Sequence, residues 1–270
     1  MLSVVCVYNS AEIFADCLFR SLDSQTAAHE LIAVDNTKRR FKSAAEALNY
    51  GGRKAKGRYI VFAHQDMVLE SKTWLKDFER MLDGLPRLGI AGVAGNSKDT
   101  LCAVSNMVHD YPPCFAGHIQ ISGPKKVQTL DECLVAIPRR VFKKLEFDGH
   151  ACDDWHMYAV DYALSAKKIG LDAYVLPAPC YHASCGASMS DKYYSTLQHL
   201  ADKHRETGWI YTTVGIWDTH TPVSLQKIRI FHLSRAGVMV LMNGKPEIFY
   251  WKLRSLATQH FPRAGFSRTL

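Results

Sequence analysis

Apolar residues in the first third of the chain fall into blocks that predict alternating strands and helices. Residues 2–7, 31–34 and 58–63 form almost continuously apolar runs, which is typical of strands buried on both faces of a sheet. Between these runs, apolar positions recur at three- and four-residue spacing over 13–22, and 44–48 continues a second helical pattern. This β-α-β-α-β order predicts a mostly parallel α/β sheet with helices on both faces and right-handed crossovers.

The rest of the chain shows the same kinds of element less regularly. A helix is predicted over 74–82 and a strand over 89–95, whereas 96–128 is rich in Gly, Pro, Asn and Ser and predicts loops or short antiparallel strands. Five further elements are predicted: a strand over 134–137, a helix over 139–145 started by Pro138, a helix over 155–169 ended by Gly170, a strand over 173–176 and a helix after Asp191.

The composition is that of a folded globular protein. The 270 residues are 47% hydrophobic and 22% charged, and a chain of this length can bury a core that needs no disulfide or metal for stability. Its eight cysteines include no C-x-x-C pair, which favours a reducing compartment. The N-terminus lacks a secretory signal pattern, and no apolar run reaches the ~20 residues of a membrane span. We therefore expect a cytoplasmic protein that is not integral to a membrane.

Basic residues are concentrated near the C-terminal end. Residues 219–270 hold eight Lys and Arg residues and one acid, a surplus of +7 that equals the net charge of the chain. Their mixture with aromatic residues predicts a mainly helical extension that contacts an anionic membrane surface at the inner face of the cell membrane. The alternative, which is commoner in soluble proteins, is a helical cap packed on the rest of the chain. No nucleic-acid-binding motif accompanies the charge, so no nucleic-acid partner is expected.

Polar residues follow the first three predicted strands directly. These are Tyr8-Asn9, Asp35-Asn36 and His64-Gln65-Asp66, and the carboxyl ends of parallel strands form one ligand-binding edge. A carboxylate after the second strand can bind a nucleoside, and one after a later strand can hold a divalent cation against a diphosphate. The chain has no Walker loop and no G-x-G-x-x-G, so its phosphates would need that metal. Asp35-Asn36 also fits a simple turn.

The ordered set of segments resembles the GT-A glycosyltransferases, specifically the family 2-like inverting enzymes that use nucleotide-diphosphate sugars. The matching segments are 3–9, 31–36, 47–51, 56–62, 64–66, 130–138, 155–164 and 179–182. The resemblance covers about residues 2–200. His64 departs from it, since it stands where the first Asp of the D-x-D metal motif usually lies, which resembles the His-Gln-Asp variant of one subgroup.

The resemblance implies a Rossmann-like GT-A fold and a hexosyltransferase that takes its sugar from a nucleotide donor, usually UDP-linked. It implies a divalent cation, Mn²⁺ or Mg²⁺, held by Asp66 and His182. It also implies a set of residues that bind the nucleotide sugar: Val7, Tyr8, Asn9, Asp35, Asn49, His64, Gln65, Asp131 and Trp155. Domain boundaries follow, with a catalytic domain over 1–218, divided into a nucleotide-binding half (1–95) and an acceptor half (96–218), and the basic extension over 219–270.

Inverting transfer needs a general base that deprotonates the acceptor hydroxyl. We predict Asp154 for this role, with Asp153 and Asp161 as alternatives, because adjacent acids precede a predicted helix and Asp161 lies within it. Asp153 and Asp154 also fit a purely structural role as helix caps.

The predicted reaction extends a surface polysaccharide or a lipid-linked glycan from the cytoplasmic side. Two other functions stay open at this stage. The first is a nucleotide-sugar-binding scaffold that has lost catalysis through its altered metal motif. The second is a basic, membrane-associated adaptor.

Overall fold

The computed structural model describes residues 1–100, 102–110, 112–184 and 191–226. The strands, numbered in chain order, are β1 (Leu2–Tyr8), β2 (His29–Asp35), β3 (Tyr59–Ala63), β4 (Met67–Leu69), β5 (Leu88–Gly92), β6 (Ala94–Asn96), β7 (Val104–Ser105), β8 (Val108–His109), β9 (Cys114–Phe115), β10 (Lys125–Val127), β11 (Thr129–Leu130), β12 (Leu134–Pro138), β13 (Asp172–Val175), β14 (Cys180–His182), β15 (Trp209–Tyr211) and β16 (Ile216–Asp218). The helices are α1 (Ala11–Phe14), α2 (Arg20–Asp23), α3 (Ala44–Gly52), α4 (Trp74–Asp83), α5 (Arg139–Phe142), α6 (Tyr158–Lys168) and α7 (Asp191–Lys203). A π-helical turn (Ala15–Phe19) joins α1 to α2, and a 3-10 turn (Arg205–Thr207) follows α7.

A seven-stranded sheet forms the centre of the molecule, in the order β10-β13-β5-β12-β3-β1-β2. β1 is parallel to both β2 and β3, and β13 is parallel to β5. β12 runs antiparallel between β3 and β5, and β10 is antiparallel at the edge. Five strands therefore share one direction, and the predicted mostly parallel α/β sheet is confirmed. A continuous apolar run such as β12 carries no signal of strand direction, so its reversal could not be predicted.

The core lies on both faces of this sheet. Successive residues of β1 alternate between two buried clusters, with Val5 packed on one face and Val4 on the other. The α3 helix packs so closely on β1 that a Cβ atom added to Gly51 would lie 2.5 Å from Cγ1 of Val5. Burial on two faces explains why the central strands are nearly all apolar.

A glycine ends α6 where the sequence predicts. Gly170 has φ +79°, its N–H bonds to the Lys167 carbonyl at 3.0 Å, and the N–H of Leu171 bonds to the Ala166 carbonyl at 3.0 Å. This is a Schellman cap, which needs the left-handed conformation that glycine adopts without strain.

Four predicted elements differ from the observed ones. The helix predicted over 139–145 is the short helix Arg139–Phe142. The strand predicted over 89–95 is two strands, β5 and β6, which belong to different sheets. The helix predicted from 155 begins at Tyr158, because Met157 has a left-handed φ of 69°. The π-helical turn breaks the regular spacing of the first helix, so Leu18 is buried but Ile13 is 42% exposed.

Smaller sheets complete the described fold. β4, β14, β8 and β9 form a four-stranded sheet, β11, β6 and β7 form a three-stranded one, and β15 and β16 form a hairpin. None of the described helices is long and apolar enough to cross a membrane. The predicted basic extension falls almost wholly outside the described residues, which end at Gln226, so its helices, its membrane contact and the boundary at 218 stay predictions.

Candidate active site

Polar residues gather at the carboxyl ends of β1, β2 and β3. Tyr8 and Asp35 are direct partners in the β1–β2 register, and His64 follows β3 immediately. The three polar groups predicted to meet at this edge therefore do lie at neighbouring strand ends.

His64, Asp66 and His182 form a compact cluster at this edge. One ligand atom from each lies within 4.8 Å of the others. His182 comes from β14, which pairs with β4 so that His182 lies opposite Met67, and the Ala183 N–H bonds to the Asp66 carbonyl at 3.0 Å. Two chain segments that are distant in sequence thus supply one donor set, as the family resemblance implied.

His182 presents a bare nitrogen to this cluster. Its Nε2 lies 3.2 Å from Oδ1 of Asp66, yet this buried atom has no hydrogen-bond partner among the described residues. Burial works against a charge on His182, but the carboxylates of Asp66 and Asp131 outweigh it and raise its pKa. Burial likewise works against ionisation of Asp66, but His182 and His64 lower its pKa below the ordinary value.

Tyr158 determines which nitrogen of His64 carries the proton. The Tyr158 hydroxyl donates to the Glu132 carbonyl at 3.0 Å, and Nε2 of His64 lies 3.1 Å from the same hydroxyl oxygen. Since the hydroxyl has one hydrogen, Nε2 of His64 must donate, which leaves a lone pair on Nδ1. Burial and the neighbouring His182 lower the pKa of His64 to about 4, so its ring is neutral at pH 7.

Asp131 faces the same cluster from the loop before β12. Its Oδ1 accepts a hydrogen bond from the Cys133 N–H at 3.1 Å, and its Oδ2 accepts one from the Thr213 hydroxyl at 2.9 Å. Burial acts to raise the pKa of Asp131, but these donors and the charge of His182 lower it overall. Asp131 is therefore ionised beside the two histidines.

An exposed carboxylate and an aromatic ring lie at the ends of β1 and β2, outside the histidine cluster. Oδ1 of Asp35 accepts bonds from the N–H (2.8 Å) and the hydroxyl (2.7 Å) of Thr37, and these bonds lower the pKa of this exposed carboxyl. The neighbouring Tyr8 ring stacks on Phe14, with centroids 4.8 Å apart and planes 8° apart. Asp35 thus forms the turn that its sequence suggested and still exposes a charged oxygen.

Several residues predicted to bind the nucleotide sugar have hydrogen-bond or packing partners within the chain. Oε1 of Gln65 accepts from the N–H groups of Asn9 (2.9 Å) and Ser10 (3.0 Å), and its Nε2 donates to Oδ1 of Asn9 at 2.7 Å. The amide of Asn49 pairs with the backbone of Phe147 at 2.8 and 3.0 Å. Val7 is half-buried and packs against the core. Gln65 and Asn49 hold the backbone around the crevice, and their predicted contact with the nucleotide sugar stays a prediction.

The acids predicted as the general base lie in three environments. Asp154 is 9% exposed and its Oδ1 lies 3.8 Å from Nζ of Lys192. Asp153 is exposed and accepts a 3.4 Å bond from the Thr196 hydroxyl. The next residue, Trp155, is 38% exposed and so offers an aromatic face to a ligand.

Asp161 is placed differently from the other two. Its side chain is buried, with Oδ2 2.9 Å from Nζ of Lys203 and Oδ1 2.7 Å from Nε2 of His204. Both oxygens are thus committed to cations or donors on and after α7. The structure does not bring Asp161 together with the histidine cluster.

Glu132 is a candidate that sequence reasoning missed. Burial and the adjacent Asp131 raise its pKa to about 8, although the Met157 N–H acts in the opposite direction. Carboxyl groups with strongly raised pKa values are concentrated at functional sites. The sequence does carry a signal for Glu132, because the acid pair Asp131-Glu132 comes just before an apolar strand. The resemblance points to the first acid of this pair alone.

A family model described as "Glycosyltransferase like family" matches residues 3–204. No curated protein sequence matches.

Two similar solved structures illustrate the fold. S. aureus TarS 1-349 in complex with UDP-GlcNAc is 15% identical with a TM-score of 0.54, over 74% of this chain and 65% of that one. GalNAc-T7 with UDP, GalNAc and Mn²⁺ is 14% identical with a TM-score of 0.53, over 75% of this chain and 48% of that one. This chain spans less than two thirds of either protein, and at such identities the likeness concerns the fold.

Proposed function

The chain belongs to the glycosyltransferase-like family, and from this premise we propose that it transfers a sugar from a UDP-linked donor to a hydroxyl group of a glycan or lipid-linked acceptor. The observation that carries the proposal is the cluster of His64, Asp66 and His182 at the carboxyl edge of the sheet. Ligands of open α/β sheets bind at that edge. Inversion at the anomeric carbon, through direct attack by the acceptor, is part of the proposal.

The donor atoms of this cluster fit a divalent cation. Asp66 is ionised and His64 is neutral with a lone pair on Nδ1, which are the forms that ligate metals. Nε2 of His182 makes no well-aligned hydrogen bond among the described residues and lies 3.2 Å from Oδ1 of Asp66, where a cation could replace this ion pair. Two imidazoles favour Mn²⁺ over Mg²⁺, which prefers oxygen ligands. When bound, the cation supplies Lewis-acid stabilisation of the charge on the departing diphosphate.

The base of the donor is proposed to lie at the ends of β1 and β2. Asp35 holds an exposed, ionised carboxylate there, which can accept the ring N–H of uracil in a charge-assisted hydrogen bond. The Gln65 side chain fixes the backbone of Asn9 and Ser10 at the same edge, so this part of the crevice is formed before a ligand arrives. The UDP and UDP-GlcNAc bound in the similar structures support testing uridine nucleotides first.

The acceptor is proposed to enter beside Asp154 and Trp155. In this arrangement Asp154 takes the proton from the acceptor hydroxyl, and the exposed Trp155 ring packs against the apolar face of a sugar. Asp153 is the neighbouring alternative. Glu132 competes with both, because a carboxyl with pKa about 8 is well matched to proton transfer near neutral pH. Asp161 is left out because its carboxylate is buried against Lys203 and His204.

A thermal-shift screen tests the proposal without knowledge of the acceptor. The purified chain is melted with UDP, GDP, dTDP and CMP, each with and without Mn²⁺. A ligand that binds the folded state stabilises it by RT ln(1 + [L]/Kd), about 2.7 kcal/mol at a hundredfold excess over Kd. We expect a shift with UDP that requires Mn²⁺, and release of UDP from UDP-sugars in a second assay.

Other outcomes select the other functions. A UDP shift with no release of UDP from any UDP-sugar, with or without glycan acceptors, would favour the nucleotide-sugar-binding scaffold. No shift with any nucleotide, together with retention of the full chain on anionic vesicles, would favour the basic membrane adaptor. Extension of surface polysaccharide or a lipid-linked glycan is the proposed setting, and it requires a positive result in both assays.

A further inference from the structure

The β15–β16 hairpin reaches the candidate active site from outside the segment that matches the family model. That match ends at residue 204, whereas the hairpin spans Trp209 to Asp218. Thr213, in the turn of the hairpin, donates a 2.9 Å hydrogen bond to Oδ2 of Asp131. The other carboxylate oxygen of Asp131 is held by the Cys133 N–H at 3.1 Å. Two donors from separate parts of the chain therefore fix the orientation of this carboxylate.

The hairpin is anchored by contacts that do not involve Thr213. The Gln128 side chain accepts from the Tyr211 N–H at 2.8 Å and donates to the Trp209 carbonyl at 2.9 Å. Nδ2 of Asn96 donates to the Thr212 carbonyl at 2.9 Å. These contacts position the turn without help from the Thr213 hydroxyl.

The turn itself is closed by its two flanking residues. The Thr212 N–H donates to the Gly215 carbonyl at 2.8 Å, and the Gly215 N–H donates to the Thr212 hydroxyl at 3.0 Å. Ile210 and Trp217, which lie opposite each other on the two strands of the hairpin, are both buried. Loss of the Thr213 hydroxyl should therefore leave the hairpin folded.

The carboxylate that Thr213 holds lies close to two histidines. Asp131 acts electrostatically on both His64 and His182. If one oxygen lost its donor, the carboxylate would be free to turn toward His182, whose pKa is raised by the nearby carboxylates. The Thr213 bond opposes that rotation and keeps the Asp131 carboxylate in the orientation that the structure shows.

We propose that Thr213 is a positioning residue, which fixes the Asp131 carboxylate near the histidine cluster and so controls the turnover of bound donor rather than its binding. This inference rests on the proposed glycosyl transfer. The hairpin, which lies beyond the family match, thereby takes part in the reaction. Binding and turnover can be measured separately, because Thr213 contacts Asp131, whereas Asp35 is proposed to bind the base and His64, Asp66 and His182 to bind the cation.

The test compares Thr213→Val, which removes the hydroxyl, with Thr213→Ser, which keeps it. Binding of UDP with Mn²⁺ is measured by calorimetry, and release of UDP is measured on UDP-glucose, UDP-galactose and UDP-GlcNAc. We expect Thr213→Val to bind UDP within threefold of the wild type and to turn over donor about 10- to 100-fold more slowly, the loss expected for one hydrogen bond to a charged group. Thr213→Ser should recover most of the rate. The matched control is Thr207→Val, whose hydroxyl makes no hydrogen bond within the described part of the chain.

A double-mutant cycle of Thr213→Val and Asp131→Asn on unfolding in urea measures the coupling of the two side chains without any activity. The proposal is overturned if that coupling is zero, if Thr213→Val turns over as fast as the wild type, or if Thr213→Ser is as slow as Thr213→Val. Failure of the proposed function is distinguishable, because the wild type would then neither bind UDP nor release it while the coupling in the cycle persisted.

Discussion

The carboxylate of Asp161 lies 2.7 Å from Nε2 of His204, and both side chains are buried. The second oxygen of Asp161 is 2.9 Å from Nζ of Lys203. A carboxylate in this position neutralises a lysine and accepts a hydrogen bond from a histidine between α6 and the end of α7, so we expect it to contribute to stability.

We expect Asp161→Ala to lower the free energy of unfolding by about 3–5 kcal/mol, because it leaves Lys203 and His204 without their buried partner. Urea denaturation measures the change. Asp202→Ala, an exposed acid on the same helix, should change stability by less than about 0.5 kcal/mol. A stable Asp161→Ala variant that had lost donor turnover would instead return Asp161 to the list of candidate bases.

The same ion-pair group predicts how stability depends on acid. Burial opposes the charge on Asp148, but Lys203 and the N–H groups of Ala151 and His150 lower its pKa from 3.8 to about 2. A pKa that is lower in the folded state gives stability that is present above pH 3.8 and is lost as the pH falls toward 2. We therefore expect Asp148→Asn to lower the melting temperature at pH 6 and to match the wild type near pH 2. Equal differences at both pH values would contradict the assignment.

Removal of one metal ligand should abolish the response to Mn²⁺. Asp66→Asn and His182→Ala each take one donor from the cluster of three, and metal affinity depends steeply on the number of ligands. We expect the Mn²⁺-dependent rise in melting temperature with UDP to vanish in both variants and to remain in His199→Ala, an exposed histidine on α7. Chelation with EDTA should make the wild type behave like the two variants. An unchanged Mn²⁺ response in either variant would rule out that residue as a ligand.

Asp154→Asn and Glu132→Gln discriminate between the two candidate bases. Loss of a general base slows the chemical step about 10²- to 10⁴-fold while leaving binding intact. We expect this loss of turnover in Asp154→Asn, with UDP affinity unchanged, and a smaller effect in Glu132→Gln. The reverse pattern would assign the role to Glu132, whose pKa of about 8 suits a group that exchanges a proton near neutrality. Steady-state assays with varied donor separate kcat from KM.

Much of the fold could be predicted from the sequence because burial on two faces leaves a clear pattern. The runs that became β1, β3 and β12 were each identified, and Gly170 correctly marked the end of α6. What could not be predicted was strand direction in β12 and the division of 89–95 between two sheets, since neither leaves a mark in local hydrophobicity.

The candidate site likewise contains residues that the sequence could identify and contacts that only the structure shows. Asp66 and His182 were identified from the resemblance, and the structure brings them together with His64. The ion pairs of Asp161 could not be predicted from the sequence, because its partners Lys203 and His204 lie on a distant segment. The structural partners of Gln65 and Asn49 were hidden for the same reason, and Thr213 carried no local signal at all.

The pairing of β14 with β4 also has a consequence for synthesis of the chain, because it joins candidate metal ligands that are translated at different times. A chain emerging from the ribosome releases His64 and Asp66 early, but His182 follows only after the strands from β5 to β13 have been made. A nascent chain therefore has an incomplete set of ligands through most of its synthesis. A cation that needs all three side chains can bind only a chain in which β14 has paired with β4, so metal binding depends on closure of this small sheet.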